Sequence, residues 1–302
     1  MLSSNRQMGA SPSVNGRTRV LGVVGYPIEH TFSPGMHNAA IAALGLSFIY
    51  IPLSVAPDSL ETAVRSIVSL GIVGINVTIP HKQRIISMLD DVSPEATAIG
   101  AVNTVHNENG RLVGYNTDGS GFMRPLSARG IDLKDCSVVV LGAGGAARSV
   151  IFRLAREGAR VHIVNRTISK AEDLCCSVRE LYPSCKISIT GWNKFAALEA
   201  VIAGADVLVN TTSVGMSPHN LEMPAIPPGA LHSGLLVYDL IYNPKETRLL
   251  QAARTCGADT LNGLEMLVGQ GAESFRIWTG IQPPEEIMMQ SVLSQLSGDG
   301  ME

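Results

Sequence analysis

The first half of the chain alternates short β-rich stretches with stretches of helical periodicity. The pattern predicts a strand at VLGVVGYP, ended by Gly25, and then a helix at HNAAIAALGL that ends near Gly45. It continues with a strand at FIYIPLSV, a helix started by Ser59 and ended by Gly71, and a strand at GINVTIP. This alternation indicates an α/β domain with a mainly parallel sheet.

Three further stretches complete this half. IISMLDD predicts a short helix, and VHNENGRLVGYN carries Asn109-Gly110 between two β-rich pieces, which is a strong hairpin signal. Residues 1–17 are rich in Ser, Asn, Gly and Arg and have no apolar periodicity. We therefore expect a flexible tail that lies outside the fold.

The clearest unit of the second half begins at Cys136. There an apolar strand, a glycine-rich turn, a helix and a second strand follow one another in SVVVLGAGGAARSVIFRLAREGARVHIVNRT. ADVLVNTT and LLVYDLIY predict further strands, with a helix over residues 194–203 between strands. The pattern predicts a Rossmann-like domain over residues 119–262.

The last two predicted helices do not fit this βαβ alternation. They are NGLEMLVGQGAESFRIWTG and PEEIMMQSVLSQL, and we expect them to return to the first domain. The predicted fold is thus α/β with two domains, in which residues 18–118 and 263–302 form a substrate domain and residues 119–262 bind a dinucleotide. Two domains create a cleft between them, and a chain of 302 residues is long enough to form both.

Composition narrows the class of partner. The formal charge is -3, and Lys and Arg are scattered instead of forming the basic patch that binds a nucleic-acid backbone. We therefore expect a small-molecule partner. No apolar run reaches the ~18 residues of a membrane span, and the N-terminus lacks an apolar signal core, which predicts a cytoplasmic protein without a membrane partner. The five cysteines and seven histidines follow no metal-ligand spacing, so no metal is expected.

The GAGGAA stretch is typical of a dinucleotide site. Gly142, Gly144 and Ala147 stand in a G-x-G-x-x-A frame between an apolar strand and a helix. The first glycine permits the tight turn, the second lets the backbone approach a pyrophosphate, and the small third residue lets the helix pack on the strand. The N-terminus of the helix then supplies N–H donors and the positive end of its dipole.

The end of the following strand predicts which dinucleotide binds. Asn165, Arg166 and Thr167 stand where an NAD enzyme normally has an acidic residue for the ribose 2′-hydroxyl. Arg166 can bond a 2′-phosphate, and Thr167 and Lys170 can add a hydroxyl and a second charge. The sequence therefore favours NADP, although an arginine that merely ends a strand at the surface is the alternative.

Two segments of the first domain are dense in chemical groups. Asn76-Val-Thr78-Ile-Pro-His-Lys82 and Tyr115-Asn-Thr-Asp118 both follow apparent strands, so they can converge on one cleft. Hydride delivery to a ketone leaves a developing alkoxide that needs a proton, which Lys82 could give while Asp118 holds the ammonium. Without other information, a solvated surface lysine is the simpler interpretation of Lys82.

Motifs spread along the chain after residue 18 resemble those of the shikimate dehydrogenase family. They are His30-Thr31-Phe32-Ser33-Pro34 with His37-Asn38, N-V-T-x-P-x-K ending at Lys82, Ala101-Val-Asn103-Thr104, Gly114-Tyr-Asn-Thr-Asp118-Gly-x-Gly121, GAGGAA, Asn165-Arg-Thr167, Asn210-Thr-Thr212, Asp239 with Tyr242-Asn-Pro244, and residues 263–280 with Met266, Leu267, Gln270 and Trp278. The resemblance implies reversible reduction of 3-dehydroshikimate to shikimate with NADPH, in the pathway to the aromatic amino acids.

The resemblance also implies roles for individual residues. It assigns catalysis to the pair Lys82 and Asp118. It places around the substrate Thr31, Ser33, Thr78, Asn103, Asn116, Thr117, Tyr242 and Gln270. It places around NADP Gly142, Ala143, Gly144, Gly145, Ala146, Ala147, Asn165, Arg166, Thr167, Lys170, Thr211, Gly263 and Met266. A ring with several hydroxyls and a carboxylate needs such neutral donors and acceptors.

One residue departs from the family pattern. Thr31 stands where the family usually has the first serine of an S-x-S pair. A quinate or dual quinate/shikimate dehydrogenase is therefore an alternative; the other interpretation is that the exchange of Ser for Thr leaves the substrate specificity unchanged. A non-catalytic ligand sensor is a third possibility, against which the intact Lys82 and Asp118 speak. For the assembly we expect a monomer or a homodimer.

Overall fold

The computed structural model describes residues 14–298, and the chain enters the fold through a turn. The amide of Thr18 donates to the carbonyl of Asn15 at 3.0 Å, directly before the first strand. The final residues of the predicted tail, Asn15 to Arg17, are thus part of a hydrogen-bonded turn. Residues 1–13 of that tail lie outside the described residues.

The first sheet has six strands in the order β2-β1-β3-β5-β6-β4. Their bounds are β1 (Arg19–Gly25), β2 (Phe48–Ser54), β3 (Gly74–Val77), β4 (Asp91–Val92), β5 (Thr104–Glu108) and β6 (Arg111–Tyr115). β1 pairs in parallel with β2 and β3, whereas β5 runs antiparallel to β3 and β6. The predicted hairpin is confirmed between β5 and β6, where Asn109 and Gly110 both take positive φ, as a type I′ turn requires.

Short helices cover this sheet. They are α1 (Ser33–Ala43), α2 (Leu60–Ser69), α3 (Pro94–Ile99) and two 3₁₀ helices, Pro57–Ser59 and Arg84–Met88. The helix predicted at IISMLDD is the second 3₁₀ helix, and the following residues pair as β4 instead of extending it. Ser59 ends the first 3₁₀ helix and caps α2 without a side-chain hydrogen bond.

The second sheet is parallel throughout, in the order β12-β11-β10-β7-β8-β9. Its strands are β7 (Ser137–Leu141), β8 (Arg160–Asn165), β9 (Ile187–Gly191), β10 (Val207–Asn210), β11 (Leu236–Asp239) and β12 (Asp259–Leu261). Its helices are α5 (Gly145–Arg156), α6 (Ile168–Leu181), α7 (Phe195–Ala203) and α8 (Arg248–Thr255). This is the strand order of a Rossmann fold, with the order reversing between β7 and β10.

Three further helices are α4 (Asp118–Ala128), α9 (Leu264–Thr279) and α10 (Glu285–Gly298). α9 and α10 pack with α1 on one face of the first sheet, so the prediction that the last helices return there is confirmed. α4 packs against both α5 and α9. Its two glycines and Pro125 hid it from the sequence pattern, yet a side chain on Gly121 would come within 2.8 Å of the carbonyl oxygen of Met266.

Each sheet is buried on both faces. Four apolar clusters fill the layers, two against each sheet. Within residues 14–298, no helix combines the length and the apolar character that crossing a membrane requires.

Candidate active site

The two residues predicted as the catalytic pair lie together at the edge where the strands of the first sheet end. Lys82 follows β3, and Asp118 is the first residue of α4, where a carboxylate also interacts favourably with the helix dipole. Lys82 Nζ donates to Asp118 Oδ2 at 2.5 Å, and the two side chains are only 15% and 6% exposed. Because water screens such a pair little, its attraction is stronger than that of a surface ion pair.

The loop that carries Lys82 is held on both sides. His81 Nε2 donates to the carbonyl of Val55 at 2.7 Å, and the amide of Val102 donates to the carbonyl of Lys82 at 2.8 Å. The loop is therefore tied both to the end of β2 and to the segment that precedes Asn103.

Asn103 holds the other side of the pair. Its Nδ2 donates to Asp118 Oδ1 at 2.8 Å and to Thr117 Oγ1 at 2.9 Å. Its Oδ1 accepts from the amide of Thr117 at 2.8 Å, which fixes the orientation of the amide group. The carboxylate of Asp118 thus has one oxygen on Lys82 and the other on Asn103.

Gln270 reaches the same point from α9. Its Oε1 lies 3.4 Å from Asn103 Nδ2, while its Nε2 donates to the carbonyl of Leu267. The structure therefore brings together five of the predicted site residues: Lys82, Asn103, Thr117, Asp118 and Gln270.

Asn116 is used differently. Its Nδ2 donates to the carbonyl of Ala101 at 2.9 Å and to Ser149 Oγ of α5 at 3.0 Å, and its Oδ1 accepts from the amide of Asp118 at 3.1 Å. Every hydrogen of this buried amide group is satisfied within the protein. Its predicted contact with a substrate stays a prediction, and its visible role is to fix the turn before Asp118.

The remaining predicted substrate residues lie in neighbouring loops. Thr31 lies two residues before α1 and Ser33 is its first residue. The ring of Phe32, which stands between them in sequence, has its centroid 5.5 Å from that of Tyr242. Desolvation raises the pKa of Tyr242 to about 12, so its hydroxyl stays a donor at neutral pH. Thr78 directly follows β3 and is partly exposed.

The glycine-rich turn has the shape that a dinucleotide needs. Gly142 has φ +113°, a conformation that other residues rarely adopt. Nothing lies within 4 Å of the position where a side chain on Gly144 would stand, so the backbone faces open space before α5 begins at Gly145. Ala147 is fully buried against the sheet, as the small third residue of the motif requires.

This turn also contacts the Lys82–Asp118 pair. A side chain on Gly145 would come within 3.3 Å of Lys82 Cδ. Ala143 and Ala146 are partly buried in the same turn. The glycine-rich turn and the Lys82–Asp118 pair therefore form one continuous site.

The residues after β8 point away from the protein. Arg166, Thr167 and Lys170 are all exposed, and Asn165 Nδ2 donates to the carbonyl of Thr167 at 2.8 Å, which shapes this corner. The arginine and the lysine are thus available for an anionic ligand at this edge of the second sheet.

Three other predicted cofactor residues lie outside the glycine-rich turn. Thr211 Oγ1 donates to the carbonyl of Leu141 at 2.7 Å, next to Gly142. Gly263 is buried, and a side chain there would overlap the carbonyl of Leu240. Met266 is 8% exposed and packs in the core beneath α4 and α5, so little of its surface is open to a ligand.

A buried polar layer behind the pair was not among the predicted site residues. It consists of Tyr50, Asn76, Thr104, Ser149 and Ser274, of which Asn76 and Thr104 stood within the motifs quoted from the sequence. A polar residue inside an apolar strand, such as Asn76 in GINV, was the available signal, because buried polar groups need partners.

Three family models match the chain. Residues 23–105 match the shikimate dehydrogenase substrate binding domain, residues 126–221 match shikimate / quinate 5-dehydrogenase, and residues 263–293 match the shikimate 5′-dehydrogenase C-terminal domain.

Individual proteins match over nearly the whole length. The shikimate dehydrogenase (NADP(+)) of Methanopyrus kandleri is 45% identical, over 96% of this chain and 100% of its own. A solved structure of shikimate dehydrogenase in complex with NADP+ has a TM-score of 0.88 and 40% identity, covering 96% of this chain and 99% of that one. The quinate dehydrogenase of Corynebacterium glutamicum in complex with NAD has a TM-score of 0.83 and 33% identity, covering 92% and 99%.

Proposed function

Because this chain belongs to the shikimate dehydrogenase family, we propose that it reduces 3-dehydroshikimate to shikimate, reversibly, with Lys82 and Asp118 as the catalytic pair. It is an oxidoreductase that uses NADP. The observation that carries the proposal is the shielded Lys82–Asp118 pair lying directly against the glycine-rich turn at Gly145.

Lys82 is the proton donor in this proposal. Bound NADPH would supply the hydride. The substrate carbonyl then becomes an alkoxide, and Lys82 Nζ gives it a proton; in the reverse direction Lys82 takes the proton from the hydroxyl. Asp118 keeps the ammonium in place and neutralises its charge, so that the donor is oriented before the substrate arrives.

Asn103, Thr117 and Gln270 form the polar wall for the ring hydroxyls. Asn103 Nδ2 has three acceptors within 3.4 Å, at Asp118, Thr117 and Gln270, for only two hydrogens. A substrate hydroxyl that accepts from this amide would take the place of the longest contact, which is the one with Gln270 Oε1 at 3.4 Å. Recognition by such paired groups rejects analogues that lack the hydroxyl, because the protein groups are then left unpaired.

The carboxylate of the substrate would bind near the start of α1. Thr31, Ser33 and Tyr242 offer three hydroxyls in one region, and Thr78 adds a fourth at the end of β3. Neutral hydroxyl donors suit a carboxylate on a small polar ring. We assign Asn116 to positioning Asp118 rather than to substrate contact, since its amide group is already satisfied.

The chain's residues fit NADP. The open backbone at Gly144 and the N-terminus of α5 suit a pyrophosphate, with Gly142 and Thr211 shaping the turn. Arg166, with Thr167 and Lys170, would hold the 2′-phosphate. The predicted contacts at Ala143, Gly145, Ala146 and Asn165 add to the proposed cofactor site, and the predicted residues Ala147, Gly263 and Met266, which are buried, support it from beneath.

Thr31 and the similarity to a quinate dehydrogenase favour a second candidate, a dual quinate/shikimate dehydrogenase. Arg166 speaks for the first candidate, because quinate oxidation fits NAD better. The chemically complete Lys82–Asp118 pair speaks against a non-catalytic ligand sensor.

Initial rates with shikimate and quinate, each with NADP and with NAD, test the proposal. We expect the fastest turnover for shikimate with NADP. Faster turnover of quinate with NAD would move the protein to the second candidate, and no turnover of any pair would favour the sensor.

We also propose the division of the chain and its setting. Residues 18–118 and 263 onward bind the substrate, and residues 119–262 bind NADP, since α9 and α10 share an apolar cluster with α1. The odd number of cysteines supports a cytoplasmic enzyme, because a disulfide framework would pair them. A monomer or homodimer stays our expectation for the assembly.

A further inference from the structure

Tyr50 of β2 lies behind the catalytic pair with its ring fully enclosed. It is 1% exposed, and the ring of His37 stacks on it at 4.2 Å and 9°. Burial lowers the pKa of His37 to about 3, so the stacking partner is neutral at physiological pH. The ring of Trp278 lies 6.1 Å away, tilted by 46°. The Tyr50 hydroxyl is thereby held in one place.

That hydroxyl orients Asn76. Tyr50 Oη donates its one proton to Asn76 Oδ1 at 2.7 Å. Since Oδ1 faces the donor, Nδ2 must point the other way. Asn76 is 7% exposed, and burial raises the pKa of Tyr50 well above its usual value, so the phenol keeps this proton.

Asn76 Nδ2 in turn reaches the segment of Asn103. It donates to the carbonyl of Asn103 at 3.1 Å, and it lies 3.0 Å from Ser274 Oγ and 3.2 Å from Thr104 Oγ1. Ser274 Oγ and Thr104 Oγ1 are 2.7 Å apart, and Thr104 Oγ1 donates to Asn103 Oδ1 at 3.0 Å. Both the backbone and the side chain of Asn103 are therefore tied to Asn76.

We propose that Tyr50 is a positioning residue for the catalytic pair. Its hydroxyl acts through Asn76 on Asn103, which holds Asp118 and through it Lys82. The inference rests on the proposed function and adds to it a residue that has no contact with the reacting atoms.

Tyr50→Phe tests the inference, because it removes only the hydroxyl and keeps the stacked ring. Without that donor the Asn76 amide loses its fixed orientation, and Asn103 loses a fixed support. We expect the rate constant of a single turnover, with enzyme in excess over NADPH and 3-dehydroshikimate saturating, to fall about tenfold. NADPH affinity, from fluorescence titration, should stay within twofold of the wild type.

The single-turnover rate constant separates positioning from stability. A variant that merely folds less well leaves the rate constant unchanged as long as the folded enzyme still binds all of the NADPH, because each bound complex reacts at its own rate. Tyr115→Phe is the matched control, since the Tyr115 hydroxyl bonds the exposed Glu108 and should leave the rate constant unchanged. Ser274→Ala removes a later member of the path. In the double variant, the fold-loss in the rate constant should be smaller than the product of the fold-losses in the two single variants.

A Tyr50→Phe rate constant within twofold of the wild type overturns the inference, whatever the amplitude. So does full multiplicativity with Ser274→Ala, because it would mean that the two residues act independently. If the wild type fails to oxidise NADPH with 3-dehydroshikimate, the proposed function falls, and the inference falls with it.

Discussion

The Lys82–Asp118 pair, which we propose is catalytic, and the exposed residues Arg166 to Lys170 after β8 are built in opposite ways. Lys82 and Asp118 are largely shielded, and the carboxylate has a protein partner on each oxygen. Arg166 and Lys170 stand exposed at the surface of the second sheet. One region is organised before any ligand arrives, whereas the other leaves its charges in water.

The difference follows from what each region must do. A proton donor accelerates chemistry only when it stands in the right place in the transition state, so its position must be set in advance by the fold. A charge that recognises a phosphate gains its partner from the ligand itself, and solvent can satisfy it until then. The account therefore predicts that changes in the first region affect rate and that changes in the second affect cofactor binding.

The largest expected effect is that of Lys82→Ala. Loss of the proton donor should lower kcat by about 10²- to 10⁴-fold, while KM for shikimate changes by less than about fivefold. Steady-state kinetics with shikimate and NADP measure both quantities. Lys134→Ala, at an exposed lysine, is the control and should match the wild type. Near-normal turnover in Lys82→Ala would remove Lys82 from the mechanism.

A smaller effect is expected for Arg166→Ala. Loss of a charged phosphate contact should raise KM for NADP about 10- to 100-fold and leave KM for NAD nearly unchanged, because NAD lacks the 2′-phosphate. Kinetics with each cofactor at saturating shikimate measure the shift. Arg65→Ala, on the outside of α2, controls for loss of an exposed arginine. Equal changes for both cofactors would mean that Arg166 does not recognise the phosphate.

The smallest effect concerns the support beneath the catalytic region. His37 is buried, and neither ring nitrogen has a hydrogen-bond partner among residues 14–298, which the structure describes. Its pKa is about 3 in the fold against 6.5 when unfolded, so acid favours the unfolded chain, and stability falls as the pH drops from 6.5 toward 3. His37→Phe removes this loss.

Between pH 7.5 and pH 5, the free energy of unfolding of the wild type should therefore fall by about 2 kcal/mol relative to that of His37→Phe. Urea unfolding at both pH values measures it. Any packing cost of the larger ring is the same at both and cancels. A difference that does not change with pH would show that His37 is not held neutral by burial.

The sequence predicted the two regions unequally well. The glycine-rich turn was predictable from contiguous residues, from the strand before Gly142 to the helix that begins at Gly145, because its conformation depends on local backbone geometry. The surroundings of Asp118 were not predictable in this way. Asn76, Asn103, Thr117 and Ser274 meet only through sheet pairing and the packing of α9, and no local pattern encodes such contacts.

The elements show the same division. Strands with an apolar run and the Asn109-Gly110 hairpin were predicted, because their signals are local. α4 was missed, since its glycines serve close packing on α9 rather than helix formation. Asp91, the first residue of β4, was assigned to a helix, because only its pairing with β6 makes so short a segment a strand.

The most direct test of this division of labour measures hydride transfer and cofactor binding in the same two variants. Single-turnover rates at saturating NADPH and 3-dehydroshikimate, together with NADPH dissociation constants, are obtained for Lys82→Ala and Arg166→Ala. The account predicts a rate at least 100-fold lower with unchanged NADPH affinity for the first, and a near-normal rate with at least tenfold weaker affinity for the second. A slow single turnover in Arg166→Ala at saturating NADPH, or a normal one in Lys82→Ala, would contradict it.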